Sequence, residues 1–200
     1  MSQLNNNNYK LLLLGNNNVG KSSILSQFAD NYFDEKELST VGFNLKIRNL
    51  IVNKQNIKLS IWDISGLERF RDLTFKCYNN CDIIIIVYDV TDRTSFNNIK
   101  TWMNSVHNSN PYTPVYLIGN KNDIISRVVE YNEGRIFANK YNLSFMEISA
   151  KNKSDVEKLF DTIGLFLTTK NNPIEEININ NGINIDDIIE DDNCIKCIIL

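Results

Sequence analysis

The hydrophobic and polar positions of the chain follow two periods, one typical of strands and one typical of helices. Six short runs are apolar or alternate apolar with polar residues, and most are separated by longer stretches with helical spacing. The predicted strands are Lys10–Leu14, Phe43–Val52, Ile57–Trp62, Ile83–Asp89, Val115–Gly119 and Phe145–Ile148. The predicted helices are Lys21–Ala29, Thr94–His107, Asn132–Tyr141 and Asp155–Thr168. This alternation predicts an α/β fold, a three-layer sandwich in which helices cover both faces of a mostly parallel sheet.

One pair of predicted strands is not separated by a helix. Phe43–Val52 and Ile57–Trp62 are joined only by the polar residues 53–56. A link this short joins antiparallel neighbours. We therefore predict a six-stranded sheet that is parallel except for one antiparallel hairpin strand.

The strand and helix pattern ends near Lys170. Residues 170–200 are rich in Asn, Ile and acidic side chains, and Pro173 and Gly182 interrupt them. We expect this segment to be a disordered tail, and residues 1–8 to be a flexible N-terminus. Residues 9–169 then form one domain, a size that allows a full hydrophobic core.

The first predicted strand leads directly into a glycine-containing turn that opens the first helix. Residues Gly15 to Ser22 fit the pattern GxxxxGK[ST]. In this context, backbone amides and the helix dipole attract phosphate, the Lys21 ammonium reaches the β- and γ-phosphates, and the Ser22 hydroxyl can hold Mg²⁺. The sequence therefore predicts the fold of a P-loop NTPase. The candidate phosphate-binding residues are Gly15, Asn16, Asn17, Asn18, Val19, Gly20, Lys21, Ser22 and Ser23.

Two later motifs concern the base of the nucleotide. Asp123, after the fifth predicted strand, can accept two hydrogen bonds from the N1–H and the exocyclic amine of guanine, an edge that adenine does not present. The stem of Lys121 can lie along the base, and a backbone amide of the segment 149–151 can donate to the guanine carbonyl. These features favour GTP and GDP, and they oppose the alternative of a P-loop ATPase or nucleotide kinase. The candidate base-binding residues are Asn120, Lys121, Asp123, Ser149, Ala150 and Lys151.

Three further residues are candidates for the metal and the γ-phosphate. Asp63 follows the third predicted strand and can hold Mg²⁺ through water, together with Ser22. Thr40, in a polar loop, can ligate the same metal when the γ-phosphate is present. The backbone amide of Gly66 can contact that phosphate.

These motifs, taken together, resemble those of Ras-superfamily small GTPases, and most of all those of the Rab family. The resemblance covers roughly residues 9–168. It implies a GTP/GDP switch in vesicle traffic whose partners are an exchange factor, a GTPase-activating protein, a prenyl chaperone or GDP-dissociation inhibitor, and effectors at the switch loops. It also implies that Phe33 packs against the nucleoside. The residues that carry it include Lys10–Gly15, Ile61–Asp63, Glu68–Arg71, Val87–Asp92 and Ser149–Asn152.

The chain departs from the family at Leu67, where a glutamine is usual. That glutamine orients the attacking water, and leucine has no hydrogen-bonding group to do so. The catalytic set that we predict is Lys21, Thr40, Gly66 and the substituted Leu67, with slow GTP hydrolysis. Two alternatives remain open: another group positions the water, or the protein is a GTP-bound scaffold that recruits effectors to membranes.

The C-terminus ends in Cys197-Ile198-Ile199-Leu200, which fits a prenylation box that favours geranylgeranyl. Cys194 is a candidate for a second lipid. One lipid chain binds membranes only marginally, and the acidic tail offers no attraction to anionic lipids. We therefore expect a lipid-anchored protein on the cytosolic face of intracellular or plasma membranes, with a cytosolic pool.

The charge pattern limits the other partners. The formal net charge is −3 and no basic stripe occurs, which argues against nucleic acid as a partner. We expect a monomer. Trp102 fits the core face of a predicted helix and is given no functional role.

Overall fold

The computed structural model describes residues 7–34, 40, 42–65, 78 and 80–171. Strands and helices alternate along these residues as the hydrophobic pattern predicts. The strands are β1 Asn7–Leu14, β2 Phe43–Val52, β3 Gln55–Ile64, β4 Ile83–Asp89, β5 Val115–Asn120 and β6 Ser144–Glu147. The helices are α1 Lys21–Asp30, α2 Arg93–Asn97, α3 Ile99–Ser109, α4 Tyr131–Lys140 and α5 Lys153–Asn171.

The six strands form one sheet in the order β2-β3-β1-β4-β5-β6. Every neighbouring pair is parallel except β2 and β3, which pair antiparallel from Phe43 opposite Ile64 to Val52 opposite Gln55. The predicted sheet is therefore confirmed, including its antiparallel hairpin strand.

The hairpin turn is two residues shorter than the polar link in the sequence. It consists of Asn53 and Lys54, which both have positive φ, 50° and 60°. This is the geometry of a type I′ turn, whose twist matches that of the flanking strands. Gln55 and Asn56 consequently belong to β3.

The core lies in two layers, one on each face of the sheet. Leu11 and Leu13 of β1 pack on the same face as residues of α1 and α5, whereas Leu12 and Leu14 pack on the face covered by α3. All seven residues of β4, Ile83–Asp89, are buried. A strand covered on both sides is apolar throughout rather than alternating, which explains the continuous Leu and Ile runs of the sequence.

One predicted helix is wrong as a single element. The stretch Thr94–His107 is two helices, α2 and α3, which meet at Asn98. The Ser95 hydroxyl accepts a hydrogen bond from the Asp89 backbone amide and thereby ties α2 to the end of β4. The chain turns at Asn98, and α3 then buries Ile99 and Trp102 against the sheet.

The ends of the domain also differ slightly from the prediction. β1 begins at Asn7, inside the segment expected to be flexible, and α5 extends to Asn171. No helix in the described part of the chain has the length and apolarity that crossing a membrane requires.

The parallel arrangement brings several sequence motifs to one place. The carboxyl ends of β1, β3, β4 and β5 lie at the same edge of the sheet, and ligands of open α/β sheets bind at this edge. The chain leaves these four strands at Gly15, Ser65, Val90 and Lys121. Most of the predicted site residues lie within a few positions of these exits.

Candidate nucleotide-binding site

A cavity of about 400 Å³ opens at this edge of the sheet. That volume lies within the usual range for small-molecule sites. Its wall combines the turn before α1 and the start of that helix, residues 33, 34 and 40, and the segments after β5 and β6. The lining residues are Asn17, Asn18, Gly20, Lys21, Ser22, Ser23, Phe33, Asp34, Thr40, Asn120, Lys121, Asp123, Ile124, Ser149, Ala150 and Lys151.

The turn before α1 depends on two glycines. Gly15 has a φ of +134°, and a Cβ there would lie 2.1 Å from the Val87 carbonyl oxygen. Gly20 has a φ of +92°, and a Cβ there would lie 2.2 Å from the Asn120 side-chain nitrogen. Any side chain at either position would be strained and would collide with the sheet or with Asn120. Asn18 has a φ of +61°, which asparagine tolerates better than most residues.

Lys21 is the cation of this turn, and it is almost fully buried at 6% exposure. Its Nζ donates hydrogen bonds to the carbonyl oxygens of Gly15 at 3.0 Å and Asn16 at 2.8 Å. Burial lowers the pKa of Lys21 to about 8, while the negative charge of Asp63 acts in the opposite direction. An ammonium carries three protons, so one remains to be directed at an anion in the cavity.

Three oxygen-bearing side chains meet next to Lys21. The hydroxyl oxygens of Ser22 and Thr40 are 2.7 Å apart. Both hydroxyls donate to Asp63 Oδ2, from Ser22 in a short hydrogen bond and from Thr40 at 3.3 Å. Hydroxyl and carboxylate oxygens are the donors that Mg²⁺ takes from proteins, with water and phosphate oxygens completing its shell. The donor set therefore fits this cation.

Asn120 connects two walls of the cavity. Its side-chain amide donates to the Val19 carbonyl at 2.8 Å, and its side-chain oxygen accepts from the Ala150 backbone amide at 3.0 Å. Asn120 is buried, so both polar ends of its side chain are used within the protein. This one residue thus connects the turn before α1 to the segment after β6.

Lys121 makes a second connection along the same wall. Its Nζ lies 2.6 Å from Asp89 Oδ2 and donates to the Asn18 carbonyl at 2.9 Å. Asp89 also accepts hydrogen bonds from the backbone and the hydroxyl of Thr91, so its carboxylate is held from two directions. The ammonium end of the lysine is therefore held between Asp89 at the end of β4 and the turn before α1.

Asp123 lies at the far side of the cavity, near Lys151 and Phe33. The Lys151 ammonium is 4.0 Å from Asp123 Oδ2 and 5.8 Å from the centre of the Phe33 ring. The carboxylate remains partly exposed, with 35% of its side chain accessible. An aromatic ring, a carboxylate and a lysine stem here give a planar polar ligand both a face and an edge to bind.

The segment after β6 is braced internally. The backbone amides of Ser149, Ala150 and Lys151 donate to the side chains of Asp155, Asn120 and Ser149, respectively. Each of these amides already donates a hydrogen bond within the protein. To bind a guanine carbonyl as well, an amide would have to share its proton between two acceptors or give up the present one. The sequence motif alone does not reveal this competition.

The structure brings most of the predicted site residues together. Gly15, Asn16, Val19 and Asp63 lie behind the cavity wall and support it, whereas the other described candidates line it. Gly66, Leu67, Cys194 and Cys197 lie outside the described residues.

Sequence reasoning missed five residues of the site. Asp34 and Ile124 line the cavity, and Asp89 fixes Lys121. Gln27 donates to the Lys151 carbonyl at 3.4 Å, and Trp102 donates to Asn16. A polar side chain at the end of an apolar strand was a signal for Asp89. Helical spacing placed Trp102 on a core face but gave no direction for its indole N–H, and it gave no signal for Gln27.

Comparisons with known proteins agree with this geometry. The family model described as Ras family matches residues 10–168. Among similar proteins, Ras-related protein RIC1 of Oryza sativa subsp. japonica is 44% identical over 157 residues, covering 78% of each chain. GTP-binding protein ypt1 of Schizosaccharomyces pombe is 43% identical over 157 residues, 78% of this chain and 77% of its own. Ras-related protein Rab-1A of Dictyostelium discoideum is 41% identical over 161 residues, 78% of each chain.

The chain belongs to the Ras superfamily of small GTPases and is of the Rab type. Members of this superfamily bind GTP and GDP, typically with Mg²⁺, and hydrolyse GTP. The cavity of this Rab-type chain is lined by the turn before α1, by Ser22 and Thr40 of the oxygen cluster, and by Asp123.

Removal of the Asn120 side chain tests how far the Rab-type site depends on its internal connections. Asn120→Ala deletes two buried hydrogen bonds and leaves the Val19 carbonyl and the Ala150 amide without their partner. At about 1 kcal/mol each, we expect GDP to dissociate roughly ten- to a hundredfold faster, measured by release of a fluorescent GDP analogue. Asn122→Ala, at an exposed position of the same loop, is the control. Equal dissociation rates for the two variants would contradict the role of Asn120.

Proposed function

We propose that this protein is a Rab-type GTP/GDP switch that acts in vesicle traffic on the cytosolic face of a membrane. The observation that carries the proposal is the convergence on one cavity of a phosphate-binding turn and a carboxylate suited to guanine. Lys21 and Ser22 stand at one end, and Lys121 and Asp123 stand at the other. The names of the similar proteins support the same assignment, since two are called Ras-related and one GTP-binding.

Selection of guanine rests on Asp123. Its carboxylate offers two acceptor oxygens to the N1–H and the exocyclic amine of the base. The present partner of the carboxylate, Lys151, is 4.0 Å away and half exposed, so the base can replace that contact at small cost. Phe33 and the stem of Lys121 cover the faces of the base. Adenine would leave the carboxylate unpaired.

The phosphates are held by the turn before α1. Its backbone amides and the third proton of Lys21 bind the phosphate oxygens. Ser22, Thr40 and Asp63 would hold Mg²⁺, which neutralises the charge of the phosphates when bound. To hold the metal, these three side chains would give up hydrogen bonds that they make with one another.

Switching rests on groups that contact the γ-phosphate only in the triphosphate state. Thr40 and the Gly66 amide are these groups. The Thr40 hydroxyl contacts Ser22 and Asp63, the other two candidate Mg²⁺ ligands. Loss of the γ-phosphate would remove a contact that holds Thr40 at the site. Exchange factors, GTPase-activating proteins, a GDP-dissociation inhibitor or prenyl chaperone, and effectors would bind to these loops. The domain acts as a monomer.

Hydrolysis should be slow, because Leu67 stands where the family uses glutamine. Without a group that orients the attacking water, the protein would remain largely GTP-bound. The same residue favours a second candidate function, a constitutively GTP-bound scaffold that recruits effectors to membranes. The turnover rate and the nucleotide found on the purified protein separate the two.

The membrane anchor would be a prenyl group on Cys197. Its position in the sequence Cys197-Ile198-Ile199-Leu200 supports this assignment. Because one chain anchors weakly, a second lipid on Cys194 or a protein partner would be needed for stable residence. The free protein would form the cytosolic pool.

The choice of base is tested by titration. We expect GTP and GDP to bind tightly and ATP to bind at least roughly 10⁴-fold more weakly, because adenine would cover the Asp123 carboxylate without pairing with it. Asp123→Asn replaces an acceptor by an amide and should lower GDP affinity by about a hundredfold or more. Asp34→Asn, which changes another carboxylate of the cavity wall, is the matched control. Equal binding of ATP and GTP would contradict the proposed function.

The role of position 67 is tested by single-turnover hydrolysis. Leu67→Gln restores a group that can orient water and should raise the rate roughly 10²- to 10³-fold. Leu67→Met keeps an apolar side chain of similar size and should remain at the wild-type rate. If Leu67→Gln leaves the rate unchanged, another group positions the water.

The anchor is tested by cell fractionation of the full chain. Cys197→Ser should move the protein from the membrane fraction to the cytosol, because no thioether can form. Cys194→Ser should reduce membrane residence in part if a second lipid is attached there. Retention of Cys197→Ser on membranes would show that the anchor lies elsewhere.

A further inference from the structure

We propose that Trp102 is a positioning residue of the nucleotide site, which holds the phosphate-binding turn through Asn16. The nucleotide part of this inference rests on the proposed function, whereas its structural part does not. Trp102 lies on α3, outside the cavity lining, and nothing in its helical spacing distinguishes it from a core residue.

The indole of Trp102 is buried, with 4% of the residue exposed. Its ring belongs to the core cluster that also contains Leu12, Leu14 and Ile64. The Nε1–H donates a hydrogen bond to the side-chain oxygen of Asn16 at 3.0 Å. A buried indole N–H requires an acceptor, and this one is taken from the turn that begins the site. Phenylalanine would fill the apolar part of the position without making this contact.

Asn16 transmits the contact to Lys21. Its side chain accepts from Trp102, and its backbone carbonyl accepts from the Lys21 ammonium at 2.8 Å. The orientation of one short residue therefore sets an acceptor of the buried cation. If the Asn16 side chain rotates away, Asn16 loses its hydrogen bond to Trp102, and its carbonyl, which accepts from Lys21, is no longer held in place by the core.

The contact also completes the attachment of the turn. Lys121 and Asn120 hold the later residues of the turn, through the carbonyls of Asn18 and Val19. Trp102 holds the early part, on the side of the sheet covered by α3. The turn is thus fixed at both ends, which pre-organises it for phosphate and reduces the cost of ordering it on binding.

Dissociation of a fluorescent GDP analogue tests the nucleotide part. Trp102→Phe and Asn16→Ala should each accelerate dissociation about two- to tenfold, the value of one hydrogen bond. The double variant should be no faster than the faster single variant, because both remove the same interaction.

The matched control is Trp62→Phe. It makes the same chemical change at the other tryptophan of the chain and should leave GDP dissociation unchanged. Multiplicative effects of Trp102→Phe and Asn16→Ala would overturn the proposal, as would wild-type dissociation in Trp102→Phe. If Trp102 had a purely structural role, Trp102→Phe would lower the thermal stability but would release GDP at the wild-type rate.

Hydrogen exchange tests the structural part without a nucleotide. In the nucleotide-free full chain, Trp102→Phe should increase amide exchange in a peptide covering residues 15–22, and Trp62→Phe should not. Unchanged exchange there would overturn the proposal even if GDP binds. Failure of the wild type to bind GDP, with the exchange difference present, would contradict the proposed function and leave the role of Trp102 in holding the turn supported.

Discussion

The site depends on the burial of β1 and β4 on both faces of the sheet. Strands covered by helices on both sides must be apolar throughout, and crossover helices make them parallel. Parallel strands end at one edge, so polar residues can collect there without disturbing the core. Gly15 after β1, Asp63 in β3, Asp89 in β4 and Asn120 in β5 meet for this reason. The chemistry of the cavity is therefore a consequence of how the core is packed.

Polar groups that are buried at this edge need hydrogen-bond partners, and this need explains the network of hydrogen bonds in the site. Lys21 is buried, and its lowered pKa reflects that burial. It is held by two carbonyls, while the Ser22 and Thr40 hydroxyls converge on Asp63. An anion and a cation that bind together would stabilise this cluster, because the anion compensates the charge of Lys21 and the cation compensates the charge of Asp63. These residues are thus suited to a magnesium nucleotide.

Much of the fold and most of the cavity lining follow from local patterns that a sequence displays directly. The strands and their mostly parallel pairing were readable because continuous apolar runs alternate with helical stretches. The turn before α1 was readable because it fits the pattern GxxxxGK[ST], in which Gly15 and Gly20 adopt conformations that other residues avoid. The break at Asn98 was not readable, because it depends on the tie between Ser95 and β4. Nor were the contacts of Asp89 and Trp102, since the direction of a buried polar group depends on distant chain segments.

In the proposed function, most of the binding groups lie in different parts of the chain from the position that would orient the attacking water. The groups assigned to base, phosphate and metal lie mainly on strand ends and the helix that follows β1, where Asn120, Lys121 and Lys21 connect them by hydrogen bonds. The group that would orient the attacking water is a single side chain at position 67, which none of these contacts involves. Under the proposed function, a leucine at this position would slow hydrolysis without weakening affinity, because transition-state contacts would be lost while ground-state contacts remained. A switch of this construction can become a long-lived GTP-bound protein by one substitution.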